Sequence, residues 1–229
     1  MEQYTQSIFF GIGLTLGAYL IGAALKQRFK LSLFNPLLIS NILVIAILLL
    51  SNTDYAVYMK GGQYINYLLT PATVCLAVPL YEKLAVLRAN LKAILIGTAA
   101  GVLTSLLMAL VFSILFGFTH TEYVTILPKS ITSPIGFGLA EELMGNPAIT
   151  VALIVITGIF GNLIAEPVVK LLHLKSPVSV GIAIGTSAHV IGTTKAMEMG
   201  ETEGAMSSLA ITVAGLMTVF AASFFAGLY

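Results

Sequence analysis

Stretches of about twenty residues without a single charge recur along this chain, and they constrain its fold more than any other feature. Roughly 30 Å of hydrocarbon needs about 20 helical residues at 1.5 Å each. Uncharged apolar runs at 7–25, 31–51, 93–118, 143–165 and 204–229 all approach or exceed that length. Charged residues make up 9% of the 229-residue chain and hydrophobic residues 58%, whereas a soluble domain carries about 25% charge. A water-soluble fold is therefore excluded. The net charge of +1 argues against nucleic acid as a partner.

Three further segments are apolar but interrupted. Residues 62–81 contain Pro71 and Pro79, residues 121–141 contain Pro128, Lys129 and Pro134, and residues 178–198 are glycine-rich and carry His189 and Lys195. Proline removes a backbone donor, and lipid cannot satisfy the groups that a broken helix frees. The helix breaks expected at Pro71, Pro79, Pro128 and Pro134 must therefore face protein or a water-filled cavity. The expected fold is an all-α polytopic membrane protein of about seven to eight membrane segments, forming one transmembrane domain over 1–229.

A faint internal repeat suggests two inverted halves, 1–118 and 119–229. Ala100-Gly101-Val102-Leu103-Thr104 matches Ala214-Gly215-Leu216-Met217-Thr218, and the same offset carries the first broken segment onto residues 184–193. Basic residues concentrate on the cytoplasmic side of membrane proteins. Lys26, Arg28 and Lys30, and then Lys83, Arg88 and Lys92, predict two cytoplasmic loops and an external N-terminus. Lys170 and Lys175 then fall inside while Glu198, Glu201 and Glu203 fall outside, which turns the second half upside down. That reading requires 119–145 to enter and leave on the same side as a re-entrant hairpin. The alternative is a simple eight-pass chain. The first apolar run follows Glu2 and no basic residue, so it reads as a retained span rather than a leader.

Polar residues inside these segments are the candidates for chemistry. In Pro128-Lys129-Ser130-Ile131-Thr132-Ser133-Pro134 a break sits beside one cation and three hydroxyls, the donor set that an anion requires. Placing Lys129 at mid-bilayer costs roughly 2.5 to 3.5 kcal/mol on insertion scales, and its structural alternative is a lysine snorkelling to the headgroups. Ser187, His189 and Thr193 form a second cluster, in which His189 either couples a proton to transport or ties two helices together. Thr70 and Thr73 form a third, whose alternative is a kinked packing helix. Asn162 and Glu166 share one helix face, and Glu166 is either a member of a proton path or an interfacial charge. Cys75 is the one cysteine, so neither an intrachain disulfide nor a cysteine metal site is available. Ser187 and His189 do not make a hydrolase elbow, because the final glycine of GxSxG is missing. No enzymatic activity, metal or cofactor is expected.

Four motifs then occur in order along the chain: Thr70-Pro71-Ala72-Thr73 with Val78-Pro79-Leu80-Tyr81, Leu127-Pro128-Lys129-Ser130-Ile131-Thr132, Gly145-Asn146-Pro147-Ala148, and Gly185-Thr186-Ser187-Ala188-His189. Together they resemble the LrgB/CidB family over nearly the whole chain. The resemblance implies a multi-pass protein of the bacterial cytoplasmic membrane, surrounded by membrane lipid, with a small LrgA/CidA-type membrane protein as partner and a tendency to homo-oligomerise. Two functions follow from it. One is transport of a small organic anion of the glycolate, glycerate or pyruvate class. The other is holin-like or antiholin-like control of murein hydrolase release and autolysis. In the first, Lys129 and His189 neutralise a carboxylate while Ser130, Thr132, Ser133, Ser187, Thr193, Thr70 and Thr73 orient it.

Overall fold

A computed structural model describes residues 7–29, 34, 36–68, 71, 75, 81–82 and 84–229. Ten helices are present among them: α1 Ile8–Phe29, α2 Pro36–Leu50, α3 Tyr55–Asn66, α4 Leu84–Ala89, α5 Leu91–Phe116, α6 His120–Ile126, α7 Ser133–Glu142, α8 Pro147–Leu171, α9 Pro177–Met199 and α10 Glu201–Ala226. Four of these, α1, α5, α8 and α10, are long and apolar enough to cross a membrane, and α2 is a shorter apolar helix. The chain divides into two units, Met1–Cys75 and Leu76–Tyr229.

In the first unit, α1 packs against α2 and α3. Small residues set the approach. A Cβ on Gly22 would lie 2.8 Å from the Pro36 carbonyl oxygen, and Gly11 and Gly61 pack backbone to backbone between α1 and α3. Thr15 and Tyr58 share a 2.7 Å hydroxyl pair across the same contact, so these two hydroxyls satisfy each other between the helices.

The second unit is built on α5, α8 and α10, with two folded-back hairpins between them. Gly117 ends α5 in the left-handed conformation at φ 64°, which glycine adopts without steric cost. Thr119 then opens α6 with a capping box: its hydroxyl accepts the Glu122 amide at 3.3 Å, and the Glu122 carboxylate accepts the Thr119 amide at 2.7 Å. After about two turns the helix stops, residues 127–132 are irregular, and α7 begins with Pro134 in its first turn. The chain then returns to α6, where the Asn146 amide donates to Thr125 Oγ1 at 2.8 Å and Thr150 Oγ1 donates to the Thr125 carbonyl at 2.7 Å. Residues 119–145 thus form the expected hairpin. Of its two prolines only Pro128 lies in the break. Pro134 occupies an early helical position, where a missing N–H has no partner to lose.

The seventh segment differs more from expectation. Helix α9 is two helical arms joined at His189, whose backbone has φ 41° and ψ −140°. The arms fold against one another: Val180 and Ala196 share one buried cluster with Ile184 and Ala165, although sixteen residues of straight helix would separate them by about 24 Å. A Cβ on Gly192 would lie 2.5 Å from that of Ala188. This segment is therefore a second hairpin, and both its ends lie at the end of α8 where Glu166 pairs with Lys170 and Lys195. The expected separation of basic Lys170 from acidic Glu198 onto opposite faces is overturned, since Lys195 bridges Glu166 and Glu198. Helix α8 runs on past the uncharged stretch, through Pro167 to Leu171.

The hairpins enter from opposite ends of α10. Tyr123 of the first donates its hydroxyl to the Phe225 carbonyl at 2.8 Å, while Gly204, near the start of α10, packs against Met197 of the second. Their turns approach each other at the middle of α8. The Ile154 side chain fills the space beside Gly136 of the first hairpin, and its carbonyl accepts His189 Nε2–H of the second at 2.8 Å.

Candidate functional site

Between the two turns lies an open-sided cleft of about 470 Å³, walled by α5. The break in the first hairpin brings Lys129 and Ser130 to it, and the first arm of α9 brings Thr186 and Ser187. Helix α5 contributes Thr104 and Ser105, with Gly97 and Gly101 leaving the room, and α8 contributes Thr157. Such a volume suits a small ligand, since ligand pockets run from about 300 to 1,000 Å³.

The polar centre of the cleft is a three-way contact. Lys129 Nζ donates to Ser105 Oγ at 3.1 Å and to Ser130 Oγ at 3.2 Å, and the two serine hydroxyls lie 2.9 Å apart. Lys129 has no carboxylate partner among the described residues. A lysine that snorkelled to headgroups would not be held by a hydroxyl from the middle of α5. Hydroxyls orient an ammonium and do not neutralise it, so a charge on Lys129 meets no counter-charge among the described residues of the cleft.

Several other expected ligands are placed elsewhere. His189 is buried at 3% exposure, and since a carbonyl can only accept, its Nε2 carries the proton in the bond to Ile154. The ring packs against α8, where a Cβ on Gly158 would come within 2.5 Å of Cε1. This is a brace at the hairpin turn and does not line the cleft. Thr193 faces α10, donating to the His189 carbonyl at 2.9 Å and pairing with Ser207 at 2.6 Å. Thr132 precedes α7 as its cap and Ser133 is its first residue, beside the cleft but outside its lining. Glu166 is committed to Lys170 at 2.8 Å and Lys195 at 3.0 Å. Asn162, its helix-face neighbour, donates to the Ile191 carbonyl at 2.8 Å and so ties α8 to the second arm of α9. Of the first-half cluster, Pro71 is described and exposed, whereas Thr70, Thr73 and Pro79 lie outside the described residues.

Sequence reasoning missed Thr104, Ser105 and Thr157 as site residues, because each is one hydroxyl in a long apolar span and such hydroxyls commonly bond their own helix. Gly97 and Gly101 had a legible signal in their GxxxG spacing, which reads as helix packing. Among the described residues no group of histidine, cysteine and carboxylate side chains is arranged to hold a metal.

A helical membrane protein with one cation and a ring of hydroxyls between two folded-back hairpins is the class that this fold and site define. The chain belongs to the LrgB-like family, which it matches over residues 15–228. It is 38% identical over 207 residues to the uncharacterized protein YxaC of Bacillus subtilis (strain 168), covering 90% of each chain. It is 32% identical to the holin-like protein CidB of Staphylococcus aureus (strain N315), over 95% of each chain. The antiholin-like protein LrgB of Bacillus cereus (strain B4264) is likewise 32% identical, over 94% of each. No solved structure matches the chain.

Proposed function

We propose that this protein is a carrier of small monocarboxylates, of the glycolate, glycerate or pyruvate class, across the bacterial cytoplasmic membrane. The observation that carries the reading is Lys129, an ammonium between two hairpin breaks with hydroxyl partners only. An intramembrane cation is costly and marks a functional site by default. A carboxylate would offset its charge, and Ser105, Ser130 and Ser187 would complete the anion's hydrogen bonds. Discontinuous helices that approach from opposite ends are a recurring design of secondary transporters; both hairpins lie within 119–229, so they support the carrier and do not bear on the inversion of 1–118 against 119–229. Thr132, Ser133, His189 and Thr193 then act on the anion through the hairpins that they shape, and Thr70 and Thr73 would add hydroxyls from the first half.

The test is uptake of radiolabelled pyruvate and glycolate into proteoliposomes containing the purified chain alone, with and without an imposed pH gradient. Saturable uptake that Lys129→Ala removes is the expected outcome, and unchanged uptake in that variant sinks the anion site. Stimulation by the gradient, lost in Glu166→Gln or in a His189 variant, would assign proton coupling to that residue. Uptake that begins only when a small LrgA/CidA-type membrane protein is added would make the carrier a two-component one, and cross-linking in membranes would report homo-oligomers.

The names of the relatives favour a second reading, a holin-like or antiholin-like protein that modulates murein hydrolase release. Non-saturable leakage of unrelated dyes from the same vesicles would establish it. The clustering of polar residues around one cleft, instead of a stripe along whole helices, supports the carrier.

A further inference from the structure

Lys129, Ser105 and Ser130 form a closed triangle of heavy atoms, with Nζ 3.1 Å from Ser105 Oγ and 3.2 Å from Ser130 Oγ, and the two oxygens 2.9 Å apart. All three residues are partly exposed and line the cleft, so a ligand there reaches them. A hydroxyl both donates and accepts, whereas an ammonium only donates. With Nζ as a neutral amine the triangle closes on itself: Ser105 donates to Nζ, Nζ to Ser130, and Ser130 to Ser105. With Nζ protonated, the ammonium donates to both serines and one serine donates to the other. One ammonium N–H and one serine O–H are then left over, a pair of donors for the two oxygens of a carboxylate. A carboxylate side chain at Nζ would have locked the charged form, and two hydroxyls serve either form.

No second titratable group shares the triangle. Among the described residues, the lining from α5, α8 and α9 consists of hydroxyl, glycine and apolar side chains. On the neighbouring elements, His189, Tyr123 and Tyr229 are turned onto backbone carbonyls, and Glu122 closes its own capping box. Glu166, Lys170, Lys195 and Glu198 belong to one ion-pair chain. Lys92, His120, Glu141, Glu142, Glu201 and Glu203 stand at helix ends. A buried ammonium without a counter-charge is costly, and it escapes the cost by giving up a proton or by gaining an anion. We propose that Lys129 carries the proton of this carrier: Nζ is an amine in the empty cleft and an ammonium when a carboxylate occupies it, so that one proton and one anion cross together and no net charge moves. The proposal rests on the anion-site reading of Lys129 and names the coupling ion and its seat. On entry Nζ takes one proton from the side on which the anion arrives, and on exit it returns that proton on the other side and the ring closes again. The coupling is reciprocal, since an anion that favours the ammonium is favoured by it to the same degree.

Lys129→Arg is the discriminating variant, because a guanidinium keeps the cation and the donors but does not release a proton. Proteoliposomes with the full chain, corrected for protein-free vesicles, should accumulate labelled glycolate about tenfold for each unit of pH imposed across the membrane, the ratio set by one proton per anion. An imposed potassium-diffusion potential should leave that uptake unchanged. Lys129→Arg should retain saturable exchange of internal for external glycolate, at the rate its bulk allows, and lose the accumulation; Lys129→Ala should lose both. Where the arginine variant exchanges nothing, the wild-type protein in detergent supplies the second measurement: glycolate binding should draw about one proton per anion from a weakly buffered neutral solution. Wild-type uptake that follows the membrane potential or ignores the pH gradient overturns the proposal. So does accumulation that survives in Lys129→Arg, or binding without proton uptake. In each of those cases saturable transport or binding leaves Lys129 standing as a fixed anion site. A wild-type protein that neither transports nor binds glycolate removes the anion site itself, and the proton role with it.

Discussion

His189 occupies a backbone conformation, φ 41° and ψ −140°, that only glycine adopts without strain. A non-glycine residue persists there because the surroundings over-determine it: the imidazole is held by the Ile154 carbonyl at 2.8 Å and seated against Gly158. Two predictions follow at this scale. His189→Gly relaxes the backbone but loses the bond, whereas His189→Ala loses the bond and keeps the strain. The alanine variant should unfold at the lower temperature in detergent, by a difference on the order of 1 kcal/mol. Gly158→Ala places a methyl within 2.9 Å of His189 and Ile191 atoms, contacts that real Cβ atoms do not make. It should destabilise the fold by about 1 to 3 kcal/mol, read by the same thermal unfolding. The histidine itself was legible in sequence as the odd residue of its segment. Its role was not, because a polar residue in an apolar run looks the same whether it faces a ligand or a neighbouring carbonyl.

At the scale of elements, the two hairpins are held by different means. The first is tied at Thr125, which accepts the Asn146 amide and whose carbonyl accepts Thr150, and it opens on the capping box of Thr119. Thr119→Ala should cost about 1 kcal/mol, the usual loss for an N-cap. Thermal unfolding measures that loss, and unchanged stability would show that the cap is idle. The second hairpin is closed by its own packing. Cysteines at Val180 and Ala196, introduced with Cys75→Ser, should be joined by a short bifunctional reagent, because both side chains belong to one buried cluster. A straight helix would hold them about 24 Å apart, and failure to cross-link would restore the simple spanning reading of residues 177–199.

For the whole molecule, the reversal at His189 decides which charges share a side of the membrane. Single cysteines near Lys170 and near Glu201 should be modified from the same side by an impermeant reagent, since Glu166, Lys170, Lys195 and Glu198 form one ion-pair chain at one end of the second unit. Labelling from opposite sides would overturn the fold of that unit. The outward surfaces agree with a lipid environment: Leu95, Ile96, Leu103, Val111, Phe112 and Leu115 are exposed along α5, as expected of a helix facing hydrocarbon.

What the sequence determined by itself was local. Charge-free runs set where α1, α5, α8 and α10 lie, to within a few residues, because hydrocarbon thickness fixes helix length. Pro128 marked the break of the first hairpin, since a missing donor is a property of one residue. Lys129 and Ser130 were legible as a candidate anion site for the same reason. The tertiary structure alone decided that α9 doubles back, because its turn depends on Ile154, Gly158 and Asn162, some thirty residues away on another helix. It alone brought Ser105 to Lys129, which lie far apart in sequence and meet only when α5 packs against the first hairpin. Local propensity records which backbone groups a segment frees, and only long-range packing determines what satisfies them and which hydroxyls are left over for a ligand.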